Sequence, residues 1–170
     1  MTDLTRSEFC TLVKITEAAL DVRASRGLLP KFSGLKRKRG TYQPMDALVM
    51  IITEHLVEDH AKALSRAVEL ASQANDVVVE RMGDIAKTLF IGAPSRKPKP
   101  DIFFALVLAS KDDKFPEFTS VCGTRAEIVK RFPSPIRIEE INISQCARVL
   151  RHRADSAGID LTEFWSMKNV

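Results

Sequence analysis

Little in this chain is set up for covalent or metal chemistry. It has three cysteines, Cys10, Cys122 and Cys146. They are far apart and odd in number, and no pair has the spacing of a zinc or redox motif. His55, His60 and His152 are scattered, and a separation of five residues does not put His55 and His60 on one helical face. There is no glycine-rich phosphate loop, no catalytic-triad order and no metal-ligand spacing. These absences argue against an enzyme and against a cofactor. The adjacent carboxylates Glu139 and Glu140 face opposite ways if they lie in a strand. Cys122 has no histidine near it in sequence and reads as a core residue. No apolar run reaches the ~18 residues needed to span a bilayer, and the N-terminus lacks an apolar signal core. The expectation is a cytoplasmic protein with reduced thiols. Internal repeats and low-complexity tracts are also lacking.

What the chain does have is positive charge in one place. Of its 170 residues, the first 43 hold nine basic and four acidic side chains, and the remaining 127 hold seventeen basic and eighteen acidic. The whole surplus of the formal +4 therefore sits in the first quarter. That asymmetry suits a polyanion-binding module joined to a neutral one. The plain alternative is a basic loop kept for solubility.

Element signals follow in order. Thr5 with Glu8 makes a capping box, and Phe9, Leu12 and Val13 give the first helix an apolar side. Lys14-Ile15 is a tight connection. Thr16 caps a second helix, in which Ala19, Leu20 and Val22 are expected to face inward. Gly27 stops it, and Leu28-Leu29-Pro30 returns to the core. Between Lys31 and Thr41, Gly34 and Gly40 bracket LKRKR, which suits a hairpin-like wing. Pro44 opens a third helix, apolar on several faces, over Met45–Val57. Asp59 is placed as the cap of a fourth helix over Ala61–Ala71, and Asn75-Asp76 as the start of another, with Val78, Met82, Ile85 and Leu89 on one stripe.

Three prolines in residues 92–100 mark a linker. The predicted division is a winged-helix domain with trailing helices over 1–91 and a small α/β domain over 101–170. In the latter, Ile102–Ala109 reads as a buried strand, with a buried helix as the alternative, and Phe118–Val121 as a second strand. Thr124–Phe132 reads as a short helix, and Ile136–Ile138 alternates like a strand. Ser144 is placed as the cap of a last long helix ended by Gly158, with Leu161, Phe164 and Trp165 docking back. The fold class is α+β, mostly α.

Helix, turn, helix, basic loop, helix is the order of a winged helix-turn-helix. In that architecture the second helix enters the major groove, and the wing contacts phosphates. The candidate DNA-binding residues are Thr16, Ala18, Ala19, Arg23 and Arg26 on the second helix, Lys36, Arg37, Lys38 and Arg39 in the wing, and Tyr42. Arg23 is the foremost base or phosphate contact, and Tyr42 is placed with its ring on sugar and its hydroxyl on phosphate.

Residues 4–71 resemble the winged-helix DNA-binding domain of MerR-type (mercury-resistance-type) regulators. The likeness rests on Thr16–Arg26, the turn Gly27-Leu28-Leu29-Pro30, the basic Lys36–Arg39, Tyr42 and Asp46. Asp21 and Val22 stand where members carry an arginine followed by aromatics, so Asp21 is expected to point away from phosphate. The resemblance implies a cytoplasmic transcriptional regulator acting as a homodimer on double-stranded DNA. Members dimerise through a long coiled coil, whereas the Val78–Leu89 stripe spans only about three turns. Dimerisation, or contact with RNA polymerase or another protein, therefore falls to residues 101–170. Metal sensing is not implied, for want of clustered cysteines. The alternatives are an architectural or phage-type DNA-assembly or recombination factor, and a protein-interaction module.

Overall fold

The computed structural model describes residues 3–32, 41–58, 60–89, 99–108 and 119–166. Strand β1 (Leu4–Thr5) leads into helix α1 (Arg6–Val13) through the expected capping box. The Thr5 hydroxyl accepts the Glu8 N–H at 3.3 Å, and the Glu8 carboxylate accepts the Thr5 N–H at 2.7 Å. Lys14 then adopts the left-handed conformation and returns its N–H to the Cys10 and Thr11 carbonyls. Thr16 caps α2 (Glu17–Ser25) by accepting the Ala19 N–H at 3.1 Å. Gly27, at φ +65°, ends the segment, and the Leu28 N–H closes on the Arg23 carbonyl at 2.8 Å. Strand β2 (Thr41–Tyr42) pairs antiparallel with β1, Leu4 opposite Tyr42.

Helix α3 (Pro44–Glu58) is the centre of the molecule, with eleven of its fifteen residues buried. A helix apolar all round must be covered all round, and α1, α4 (Leu64–Val79) and α7 (Ile143–Ala157) do so. At its start the Asp46 carboxylate, fully buried, accepts the Gln43 N–H at 2.7 Å.

The fourth helix differs from expectation. It starts at Leu64, after Ala63 rather than at Ala61, and runs straight through Asn75-Asp76 to Val79. The buried series Ala67, Leu70, Ala71, Ala74, Val78 continues at helical spacing past that point, and packing overrides the local capping preference. The break falls at Glu80-Arg81, before α5 (Met82–Leu89). Asp59, the expected cap, lies outside the described residues.

Strands β3 (Phe103–Leu108), β4 (Thr119–Gly123) and β5 (Arg137–Asn142) form an antiparallel sheet in the order β4-β3-β5. Alternation along β3 decides its two faces. Phe104 and Leu106, with Ile141, join the helical core. Ala105 and Val107, with Val121, meet Ile128 of helix α6 (Arg125–Arg131) on the other face. Thr124 caps α6 with a second capping box to Glu127. Asn142, not Ser144, caps α7, its side-chain oxygen accepting the Gln145 N–H at 2.9 Å. Ser144 is two residues too far in. Its buried hydroxyl instead accepts the Ile102 N–H at 2.9 Å and ties helix to sheet. Gly158, at φ +67°, ends α7, and α8 (Thr162–Ser166) docks Phe164 and Trp165 against the core as expected.

The expected division into 1–91 and 101–170 does not describe this core. One apolar cluster runs from Leu4 to Trp165 and takes side chains from both segments. Polar ties cross it as well: Arg153 donates to the Leu12 carbonyl at 2.9 Å, Arg151 to the Leu89 carbonyl at 2.7 Å, and Lys62 pairs with Glu139 at 2.8 Å. Residues 92–98 of the expected linker lie outside the described residues. The Val78–Leu89 stripe is spent inside this core, so it is not free to form a coiled coil. Among the described residues no helix is long and apolar enough to cross a membrane.

Ser144→Ala should lower the unfolding free energy by about 1–3 kcal/mol, because it strands a buried N–H; urea denaturation measures this. Several carboxylates are held below their usual range, Asp101 chiefly by a hydrogen bond from Arg148 and Glu139 chiefly by one from Lys62. Depressed carboxylates stabilise the fold above their unfolded values, near 4, and the contribution disappears as pH falls through the lower folded values. Asp101→Asn should therefore lower stability at pH 7 and flatten its fall below about pH 4.

Candidate nucleic-acid interface

Helix α2 touches the core chiefly through one side chain. Leu20 is its only buried residue, while Glu17, Ala18, Asp21, Val22, Ala24 and Ser25 are exposed and Ala19 is half-buried. Val22, expected to face inward, is 48% exposed. Two residues beyond Leu20 is about 200° round the helix, so the two cannot share a face.

Two arginines hold α2 in place. Arg6, at the start of α1, meets Asp21 at 2.6 Å and Glu17 at 3.2 Å, and donates to the Glu17 carbonyl at 2.9 Å. Its pKa is raised, principally by the hydrogen bond to Asp21. Asp21 and Glu17 are thus held against α1 while remaining exposed. Arg23 makes a half-buried ion pair with Glu54 of α3. This corrects the expectation for Arg23: its guanidinium fastens α2 to the central helix rather than standing free for a base edge.

Tyr42 also differs from expectation. Its ring stacks on Phe9 of α1, with centroids 4.1 Å apart and planes 15° from parallel, and Phe32 meets both rings edge-on at 6.0 and 6.2 Å. Burial raises the Tyr42 phenol above its ordinary value. The ring that was expected against sugar is a packing element, because Phe9 and Phe32 offer a larger apolar contact. The cluster fixes the residues that flank 33–40. Lys36, Arg37, Lys38, Arg39 and the expected wing lie outside the described residues.

The remaining candidates are placed as follows. Thr16 is used as a cap, Ala18 is exposed, and Arg26 is exposed at the end of α2. Lys14, in the turn, and Lys31, after α2, are exposed too. Lys14, Arg26 and Lys31 have no acidic partner among the described residues. Sequence reasoning counted Arg6, Lys14 and Lys31 in the surplus charge without giving them roles; Arg6 gave no local signal, since its partners are more than ten residues away.

Other chemistry-bearing groups are engaged elsewhere. The His55 and His60 rings do meet, at 5.5 Å, because α3 ends between them, yet no metal-holding cluster is found among the described residues. The Cys122 thiol is pushed up to about 12 by burial, which makes a thiolate nucleophile unavailable at neutral pH. Glu139 pairs with Lys62 and Arg137, and Glu140 with Arg125.

Arg23→Ala should cost about 1–2 kcal/mol, between the value of an exposed pair and a buried one. In a double-mutant cycle with Glu54→Gln, thermal unfolding should give coupling of that size; strict additivity of the two changes would contradict the anchoring role. No protein-family model matches the chain, and no curated protein does.

Proposed function

We propose that this protein binds double-stranded DNA through α2 and the basic segment that follows it, as a transcriptional regulator. The observation that carries the reading is the treatment of charge on α2. Arg6 pairs with both Glu17 and Asp21, which stay exposed but have a cation against them, and Ala18 and the cations Lys14, Arg26 and Lys31 face solvent as well. The shared cation weakens the repulsion that the two carboxylates would exert on a phosphate backbone. The three-residue turn, Lys14 to Thr16, between two short capped helices is the connection that a helix-turn-helix needs. The aromatic cluster of Phe9, Phe32 and Tyr42 supports the rest, since it anchors both flanks of the segment holding Lys36, Arg37, Lys38 and Arg39 beside α1.

In this reading the cations make the salt-sensitive phosphate contacts. Ala18 and Val22 meet base edges and thymine methyl groups. Arg23 and Tyr42 act as positioning residues, through Glu54 and Phe9. The resemblance to MerR-type regulators extends to the order of these parts but not to their coiled coil. A homodimer on a pseudo-palindromic site would join through surfaces other than the Val78–Leu89 stripe.

Selection of bound fragments from genomic DNA, followed by titration at several salt concentrations, tests the proposal. Binding should fall steeply with salt, and a flat, background-level response would remove the reading. Arg37→Ala with Arg39→Ala should weaken all sequences alike and reduce the salt slope by about two, roughly one for each phosphate contact. Ala18→Glu should abolish binding while leaving the melting temperature unchanged, because the site is exposed and compatible with helix.

A further inference from the structure

We propose that the outer edge of β5 pairs with the same strand of a second copy of this chain, joining two three-stranded sheets into one. In the order β4-β3-β5 the sheet has two edges, and they are treated differently. Helices α4 and α6 pack beside β4, and Arg81, just after α4, bridges to Glu127 of α6 at 3.0 Å. The β5 edge has no such cover. Among the described elements β3 is its one substantial neighbour, and among the described residues nothing bonds the outer backbone groups of residues 137–141. A row of unpaired N–H and C=O groups is a template for another strand. Short length, proline and lysine are common protections, yet β5 is six residues long and carries neither proline nor lysine.

The side chains choose the partner. Arg137 and Glu139 lie on one face of the strand and pair at 2.6 Å, and Arg137 is 60% exposed. A two-fold axis normal to the sheet makes an antiparallel pair and keeps each face continuous, so odd residues meet odd and even meet even. An axis at Arg137, Glu139 or Glu140 sets like charges directly opposite, which is destabilising. An axis at Ile141 runs the pairing into α7 almost at once. An axis at Ile138 avoids both. Ile138 then meets the partner's Ile138, and each Arg137 meets the partner's Glu139, twice over. Ile136, 43% exposed, extends the pairing, because its N–H is already held by the Leu108 carbonyl at 2.8 Å. The strand is thus complementary to itself in one register. The choice of a second copy rests also on the homodimer in the DNA-binding reading.

Sedimentation equilibrium of the full chain, run without DNA, reads association alone, so this inference and the DNA-binding reading can fail separately. The mass should rise from that of one chain toward that of two, with Kd of about 100 μM or tighter. Arg137→Glu, at an exposed position, should weaken association about tenfold or more, and so should Glu139→Arg. An equimolar mixture of the two variants should associate again, since every facing pair then carries opposite charges. Glu139→Arg also gives up its pair with Lys62, so circular dichroism checks its fold, and cross-linking reads the register without it. Ile138→Cys sets two thiols on Cα atoms about 4.5–5.5 Å apart, within disulfide reach. Mild oxidation should then give a covalent dimer, and Glu140→Cys should not. A single-chain mass at about 500 μM, association unchanged by Arg137→Glu, or no covalent dimer from Ile138→Cys would overturn the proposal.

Discussion

The structure depends on the need to cover α3. Its sequence from Pro44 to Thr53 is buried without a break, and two short helices on one side cannot enclose such a rod. Covering it requires α4 on one side and α7 on another. Because α7 lies nearly a hundred residues further along the chain, the last third of the sequence must fold back onto the first. The polar crossings follow from the same closure. Arg153 reaches the Leu12 carbonyl, and its own charge is disfavoured by burial there, so its pKa is lowered. The sheet is attached to this helical body through Phe104, Leu106 and Ile141, and by the Ser144 hydroxyl on the Ile102 N–H.

Local signals in the sequence were dependable where one residue does one job. Thr5 and Thr16 cap as their positions imply, Gly27 and Gly158 take positive φ, and β3 falls where the short apolar run placed it. Local reading erred where two uses of a residue compete. Asn75-Asp76 looks like a helix start, yet the apolar spacing around it continues, and a buried stripe outweighs a cap worth about 1 kcal/mol. Ser144 looks like a cap but serves the sheet, and Asn142 takes the role. The three prolines of 92–100 suggested two domains. Proline stops a helix without saying whether the chains on either side share a core, and here they do.

The candidate site was legible as an order of parts and less so as a surface. Helix, turn and helix fall at Thr5–Ser25 as the residues imply. The roles of particular side chains depended on partners distant in sequence. Nothing local to Arg23 announces Glu54, and nothing local to Tyr42 announces Phe9 and Phe32. Arg6 is the clearest case. An arginine beginning a helix at its positive end is locally unfavourable, and it becomes intelligible only once α2 brings Asp21 and Glu17 alongside.

The hydrogen bond from Arg153 to Leu12 also has a meaning for the order of synthesis. It spans 141 residues, so the first helix emerges from the ribosome long before the guanidinium that completes its final turn has been made. Until then the apolar sides of α1 and α3 that α7 covers remain wet, a condition in which nascent chains attract chaperones. The native contacts of α1 and α3 are therefore complete only once α7 is in place.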